Sequence, residues 1–230
     1  MHTKNKNSDK VLILITYTAA VIVSVMLIDQ FLMPGYWIKS LIKAVMFCST
    51  VLMSSVVLKS SVAEIINLRR CPDIKKIIIY MFAAYIGFMV LFFLFKGRID
   101  LHAIKSGLEQ KEHLTKENCL YTFIYIIVIN SFLEEMVFRG LLFNLLSKKA
   151  GNGMAAVISA FLFSVYHIGI VSTWLSPLIF LLCIAGLMIV GLVLQYISDR
   201  YDSMLAGWCV HASANIAINS IGVWLFWNII

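Results

Sequence analysis

Three short patterns place polar side chains at helical spacing inside apolar runs. Glu134, Glu135 and Arg139 lie in NSFLEEMVFRGLLFNLL, Phe163 and His167 in FLFSVYHIG, and His211 and Asn215 in WCVHASANIAIN. Glu135 and Arg139 are four residues apart, so they share a helix face and can pair. Glu134 projects about 100° away around the same helix, toward a different neighbour. One carboxylate is then neutralised by Arg139, and the other is free for other work. A carboxylate can take a proton from water, and an imidazole can orient that water or later return the proton. An asparagine and a second histidine can hydrogen-bond a developing oxyanion. Glu134, His167, His211 and Asn215 together form a set suited to hydrolysing an amide bond.

The elements that must position these groups are membrane helices. The chain has 230 residues, of which 61% are hydrophobic and 13% charged, and its mean hydropathy is +0.90. A soluble domain carries roughly 25% charged residues. Apolar runs long enough for the hydrocarbon layer fall at about 11–33, 40–58, 77–95, 118–146, 154–171, 178–197 and 204–219. The predicted fold class is therefore all-α, a polytopic transmembrane helix bundle of about seven helices, eight at most. Unpaired, Glu134, Glu135 and Arg139 would cost on the order of 8 kcal/mol at membrane depth, so partners are expected. Depth agrees across helices: at 1.5 Å per residue, Glu134, His167 and His211 lie roughly 18, 20 and 12 Å from the cytosolic helix ends. Three helices thus bring polar groups into one slab.

The net charge of +7 reads as a topology signal, with no nucleic-acid partner, because Lys and Arg sit in loops between apolar runs. With the N-terminus in the cytosol, the cytosolic segments hold Lys4, Lys6, Lys10, Lys59, Arg69, Arg70, Lys75, Lys76, Lys148, Lys149 and Arg200. The outer segments hold Lys39, Lys96, Arg98, Lys105, Lys111 and Lys116. The loop 96–117 is the exception to this charge pattern, either as an interfacial amphipathic helix or through a miscounted span before it. The basic start and long first apolar run indicate an uncleaved span. Cys48, Cys71, Cys119, Cys183 and Cys209 are isolated and read as small apolar packers. Gly186 and Gly191 read as close-packing positions, and Trp208, Trp224 and Trp227 as interfacial anchors. The tail after Gly222 either extends the last helix or forms a short separate segment.

The ordered set EExxxR, FxxxH and HxxxN on successive membrane helices resembles the CPBP group. That group comprises the type II CAAX prenyl proteases and the bacteriocin-processing or immunity proteins, also called the Abi family. The match consists of Glu134, Glu135 and Arg139 with the flanking Phe138 and Gly140, then Phe163 and His167, then His211 and Asn215. It divides the chain into N-terminal membrane helices and an interfacial loop at 1–117, a CPBP-like helical core at 118–220 and an apolar tail at 221–230. The depth of the polar groups puts the site near the cytosolic face, and the Ile/Lys/Met-rich, short-looped style of the chain reads as that of a bacterial plasma-membrane protein. The resemblance implies an intramembrane endopeptidase acting on a membrane-associated peptide or lipidated protein. It implies Glu134 as the base that activates water, His167 as its partner, His211 and Asn215 as the oxyanion site, and Glu135 with Arg139 as a supporting pair. It also implies roles in bacteriocin or signal-peptide processing or in self-immunity. The partners expected are membrane lipids and that substrate.

No cofactor is required, although Glu134, His167 and His211 would serve as zinc ligands with an open fourth position. The alternative function is a non-enzymatic bacteriocin immunity protein of the same fold. A proton-coupled transporter would need broken helices and repeated halves, which the sequence lacks. Plainer readings stand beside each residue. Arg139 alone would snorkel to headgroups, and either histidine alone would be an interhelical hydrogen-bonder. Asn215, like Asn130, Asn144 and Asn219, would be interhelical glue.

Overall fold

The computed structural model describes residues 2–32, 35–70, 73–171 and 177–229, the side chains of 2–7 and 170–171 excepted. Cys71, and Met33 at the end of the first expected span, lie outside them. The described residues form helices and no strand. In chain order they are α1 (His2–Leu27, continued by a π-helical turn Ile28–Leu32), α2 (Tyr36–Leu58), α3 (Val62–Ile65), α4 (Ile74–Phe95), α5 (Leu101–Lys111) and α6 (Cys119–Tyr125). Then follow α7 (Ser131–Glu135), α8 (Phe143–Tyr166), α9 (Ile168–Val171), α10 (Pro177–Arg200) and α11 (Met204–Asn228). Two further π-helical segments, Ile126–Asn130 and Met136–Leu142, flank α7.

Among the described residues, five helical stretches are long and apolar enough to cross a membrane: Ser8–Leu32, Tyr36–Leu58, Ile74–Arg98, Pro177–Arg200 and Met204–Asn228. The two further spans expected at 118–146 and 154–171 are helical but are not among these five, so length and composition alone do not reach the expected count of seven. In the first, α and π turns alternate from Cys119 to Leu142, and the run carries Glu134, Glu135 and Arg139. The second covers the latter part of α8, its cap His167 and α9. Gly151 breaks the course of α8 with φ 77° and ψ 162°, a backbone conformation that glycine adopts without steric cost.

Exterior and interior are inverted relative to a soluble protein. Leu12, Leu41, Ile79, Phe82, Leu94 and Leu181 are exposed, while Asp29, Lys39, Lys43, Glu134, Glu135, Arg139 and His211 are buried. An apolar exterior around a charged interior suits a lipid solvent, and the chain is an integral membrane protein. Lys39, expected in an outer loop, instead lies one turn into α2. Its Nζ is 2.7 Å from Glu112 and 3.4 Å from Asp29.

Local signals set the helix boundaries. Ser61 and Glu64 form a reciprocal capping box at α3, and Asp73, Asp100 and Ser203 accept first-turn N–H groups of α4, α5 and α11, as N-cap side chains do. The loop 96–117 contains α5. The apolar tail continues α11 past Gly222 to Asn228. Gly191 permits the close approach expected of it, since a Cβ there would meet the Cβ of Ala160 at 3.0 Å; Gly186 has nothing within 4 Å. The largest core cluster joins α1, α2 and α3 to the α7–α8 region. At its centre Phe138 lies with ring centroids 6.3 Å from Phe47, 5.3 Å from Phe163 and 5.6 Å from Tyr166.

Candidate active site

The α7 helix carries Glu134 and Glu135 between its two π-helical neighbours. Glu134 is 2% exposed, and its two oxygens have different surroundings. Oε1 accepts from Lys43 Nζ at 2.6 Å, Asn130 Nδ2 at 2.8 Å and Tyr166 Oη at 3.4 Å. Oε2 faces His167 Nε2 at 3.9 Å and His211 Nε2 at 3.7 Å. Those separations are too long for direct hydrogen bonds and of the size that one bridging water spans.

Each imidazole is oriented from behind. His167 caps the end of α8, and its Nδ1 lies 2.7 Å from the Phe163 carbonyl one turn back. His211, on α11, has its Nδ1 2.8 Å from Glu135 Oε1. A carbonyl and a carboxylate both accept, so each Nδ1 carries the hydrogen, and a ring protonated there alone presents a lone pair from Nε2. Phe163 packs edge-on against both rings, with centroids 4.6 Å from His167 and 5.8 Å from His211.

Arg139 points inward, 3% exposed, rather than toward headgroups. Its Nη1 is 3.0 Å from Glu135 Oε1 and its Nη2 donates to the Gly191 carbonyl at 3.4 Å. The guanidinium carbon also lies 4.1 Å from the centre of the Phe163 ring. The spacing of the second glutamate and the arginine thus becomes a buried ion pair. The two ammonium or guanidinium groups and the two carboxylates of the site balance.

Asn215 is placed differently. Its Nδ2 donates to the Ile126 carbonyl at 3.5 Å, and no hydrogen bond among the described residues joins it to Glu134, His167 or His211. Trp208 donates to Val128 O at 3.3 Å and to Ser131 Oγ at 3.0 Å, and Asn219 donates to Phe123 O at 3.3 Å. These acceptors cluster in and around the π-helical segment Ile126–Asn130, where the regular carbonyl ladder is shifted. Trp208, expected as an interfacial anchor, is thus part of this seam.

Lys43, Asn130 and Tyr166 join the carboxylate although the sequence patterns did not single them out for it. Lys43 had a legible signal: a lysine within the apolar run SLIKAVMF of an expected span needs an explanation. Asn130 is one turn before Glu134, and Tyr166 adjoins His167. Among the described residues no three or more His, Cys, Asp or Glu side chains form a group able to hold a metal ion. A dication at Oε2 would also add two positive charges to a balanced site beside the Lys43 ammonium.

No curated protein and no solved structure matches the chain. A family described as Type II CAAX prenyl endopeptidase Rce1-like matches residues 116–217, the stretch that contributes Glu134, Glu135, Arg139, His167, His211 and Asn215. Over that segment the chain is similar to the CAAX protease-like family of membrane proteases.

Proposed function

We propose that this protease cleaves its substrate with water activated by Glu134 and without a metal. The convergence of Glu134 Oε2 with the two Nε2 lone pairs, while Lys43, Asn130 and Tyr166 all donate to Oε1, carries the reading. Three acceptors facing one another at this spacing call for a molecule with hydrogens to give. Water held there loses a proton to Oε2 as its oxygen attacks the scissile carbonyl carbon. Collapse of the tetrahedral intermediate breaks the C–N bond, and the same proton passes to the leaving nitrogen, directly or through His167.

His211 backed by Glu135 is suited to bind a proton at Nε2 and donate it as a hydrogen bond to the oxyanion. Asn215 reaches that oxyanion only by leaving the Ile126 carbonyl. The substrate is a peptide or lipidated protein held in the membrane near the cytosolic face. Contacts between Lys149 and Ser8, and between Arg69 and Asp202, gather basic segments at one end of the bundle. Basic residues mark the cytosolic side, so this end is assigned to the cytosol, with the N-terminus. A bacterial plasma membrane, and signal or bacteriocin peptides beside prenylated ones, remain part of the proposal.

The test is cleavage of a panel of farnesylated CAAX peptides and membrane-anchored leader peptides by purified protein in liposomes. Glu134→Gln keeps an oxygen for Lys43 and Asn130 but loses the proton acceptor. It is expected to lose activity by on the order of 100-fold or more after each rate is scaled to the folded fraction, because the change also leaves the Lys43 ammonium buried without its counter-charge. Added 1,10-phenanthroline is expected to leave the wild-type rate intact. Cleavage that survives Glu134→Gln would remove the assigned base, and inhibition reversed by zinc would remove the metal-free step.

A further inference from the structure

We infer that Lys43 of α2, outside the matched segment 116–217, is the positioning residue for the Glu134 carboxylate. This inference rests on the reading of Glu134 as the base. The Lys43 side chain is 8% exposed, and its ammonium lies 2.6 Å from Glu134 Oε1. It also donates to Asn130 Oδ1. The third side of the ammonium faces aromatic surface, 4.9 Å from the centre of the Tyr166 ring and 5.7 Å from that of Phe47. Two acceptors and two rings therefore fix it in one place.

The effect on the carboxylate is directional. Asn130 donates to the same Oε1 to which Lys43 donates, and it also accepts from Lys43. The three groups form a closed ring of hydrogen bonds that sets the rotation of the carboxylate plane. With Oε1 occupied, Oε2 is the oxygen turned toward His167 and His211. Arg139 cannot take over this task, because its pairing with Glu135 and its bond to Gly191 O hold it on the other side of α7. A neutral side chain at 43 would free the carboxylate to rotate, and either oxygen could swing away from the water position. The loss falls on the chemical step, since Lys43 touches the base and is not itself placed to touch substrate.

The same position could instead hold an ammonium only to neutralise a buried acid, or to bind a carboxylate of the substrate. Steady-state kinetics in liposomes separate these roles. Lys43→Met, Lys43→Gln and Lys43→Arg are made in the full-length chain, and each rate is scaled to the folded fraction read by thermal unfolding. Lys43→Met is expected to lower kcat by about 10- to 100-fold while KM stays within about threefold. Lys43→Gln, which keeps one donor, is expected to fall between Met and wild type, and Lys43→Arg to recover most of kcat. Should Lys43→Met fail to fold, the Gln and Arg variants carry the same comparison. A kcat equal to wild type in a folded neutral variant overturns the inference, as does an effect confined to KM. If Glu134→Gln is inactive while neutral variants at 43 keep full kcat, only this inference fails. If Glu134→Gln remains active, the base itself was misassigned.

Discussion

Glu135 Oε1 faces two groups, the Arg139 guanidinium as an ion pair with Nη1 at 3.0 Å and His211 Nδ1 as a hydrogen bond at 2.8 Å. It is the joint between the ion pair and the imidazole, and both members of the pair are almost completely shielded from solvent. Removing one partner of such a pair leaves the other charge buried and alone, at a cost of about 3–5 kcal/mol. Glu135→Gln is therefore expected to lower the unfolding temperature strongly even though the amide oxygen can still accept from His211. Glu135→Gln combined with Arg139→Gln removes both charges and is expected to regain most of that stability. A thermal-unfolding double-mutant cycle in detergent measures the coupling, and an additive cycle would show that the 3.0 Å approach contributes nothing. This pair was legible in the sequence because its spacing of four residues is local. Lys43 and Glu134 are 91 positions apart, so only the bundle brings them together. Asn130 was legible as a polar residue on the same helix face, but nothing local distinguishes a side chain that bonds a carboxylate from one that joins two helices.

The π-helical turns around α7 distinguish the helix that sequence periodicity predicts from the one that forms. Each shifts the backbone ladder, and side chains of α11 take up displaced carbonyls at Phe123, Ile126 and Val128. A run of apolar residues shows where a helix lies, but not where its hydrogen-bond register slips, which is why 118–146 read as one uniform span. Glycines illustrate the same limit. Gly140, in the π-helical segment Met136–Leu142, lies so close to α3 that a Cβ would meet Ile66 Cα and its carbonyl oxygen at 2.8 Å. Gly186 reads similarly in the sequence yet faces open space. Gly140→Ala must push backbone against backbone and is expected to cost about 1–3 kcal/mol. Gly186→Ala is expected to stay within about 0.5 kcal/mol of wild type. Thermal unfolding of the two variants side by side checks the contrast, and an equal response would mean that α3 moves freely away from the site helix. Because α3 follows directly from α2, displacement at Gly140 is also expected to lower activity through Lys43.

At the scale of the molecule, the chain wraps an apolar exterior around charged groups drawn from both halves of the sequence. The second half supplies the two glutamates, the arginine and both histidines, all recognisable from short motifs. The first half supplies Lys43, Phe47 and much of the largest core cluster. It carries no comparable motif, and its contribution became visible only through packing. Phe47 lies 6.0 Å from Tyr166 and 6.3 Å from Phe138 between ring centroids, so α2 supports the walls of the site as well as its carboxylate. Residues 118–230 expressed alone would expose that core face to lipid and leave Glu134 without its ammonium. Helices in a bilayer associate through packing and polar contacts rather than through chain connectivity. Accordingly, 118–230 alone is expected to be inactive and rapidly degraded, whereas co-expression with 1–117 as a separate chain is expected to restore measurable cleavage. Co-purification of the two fragments and turnover of the substrate cut by the intact chain provide the measurement. Activity of 118–230 by itself would show that α2 is dispensable. If the fragments co-purify without activity and Lys43→Met in the intact chain also lowers kcat, the connection between the halves must hold α2 in register for the ammonium to reach Oε1.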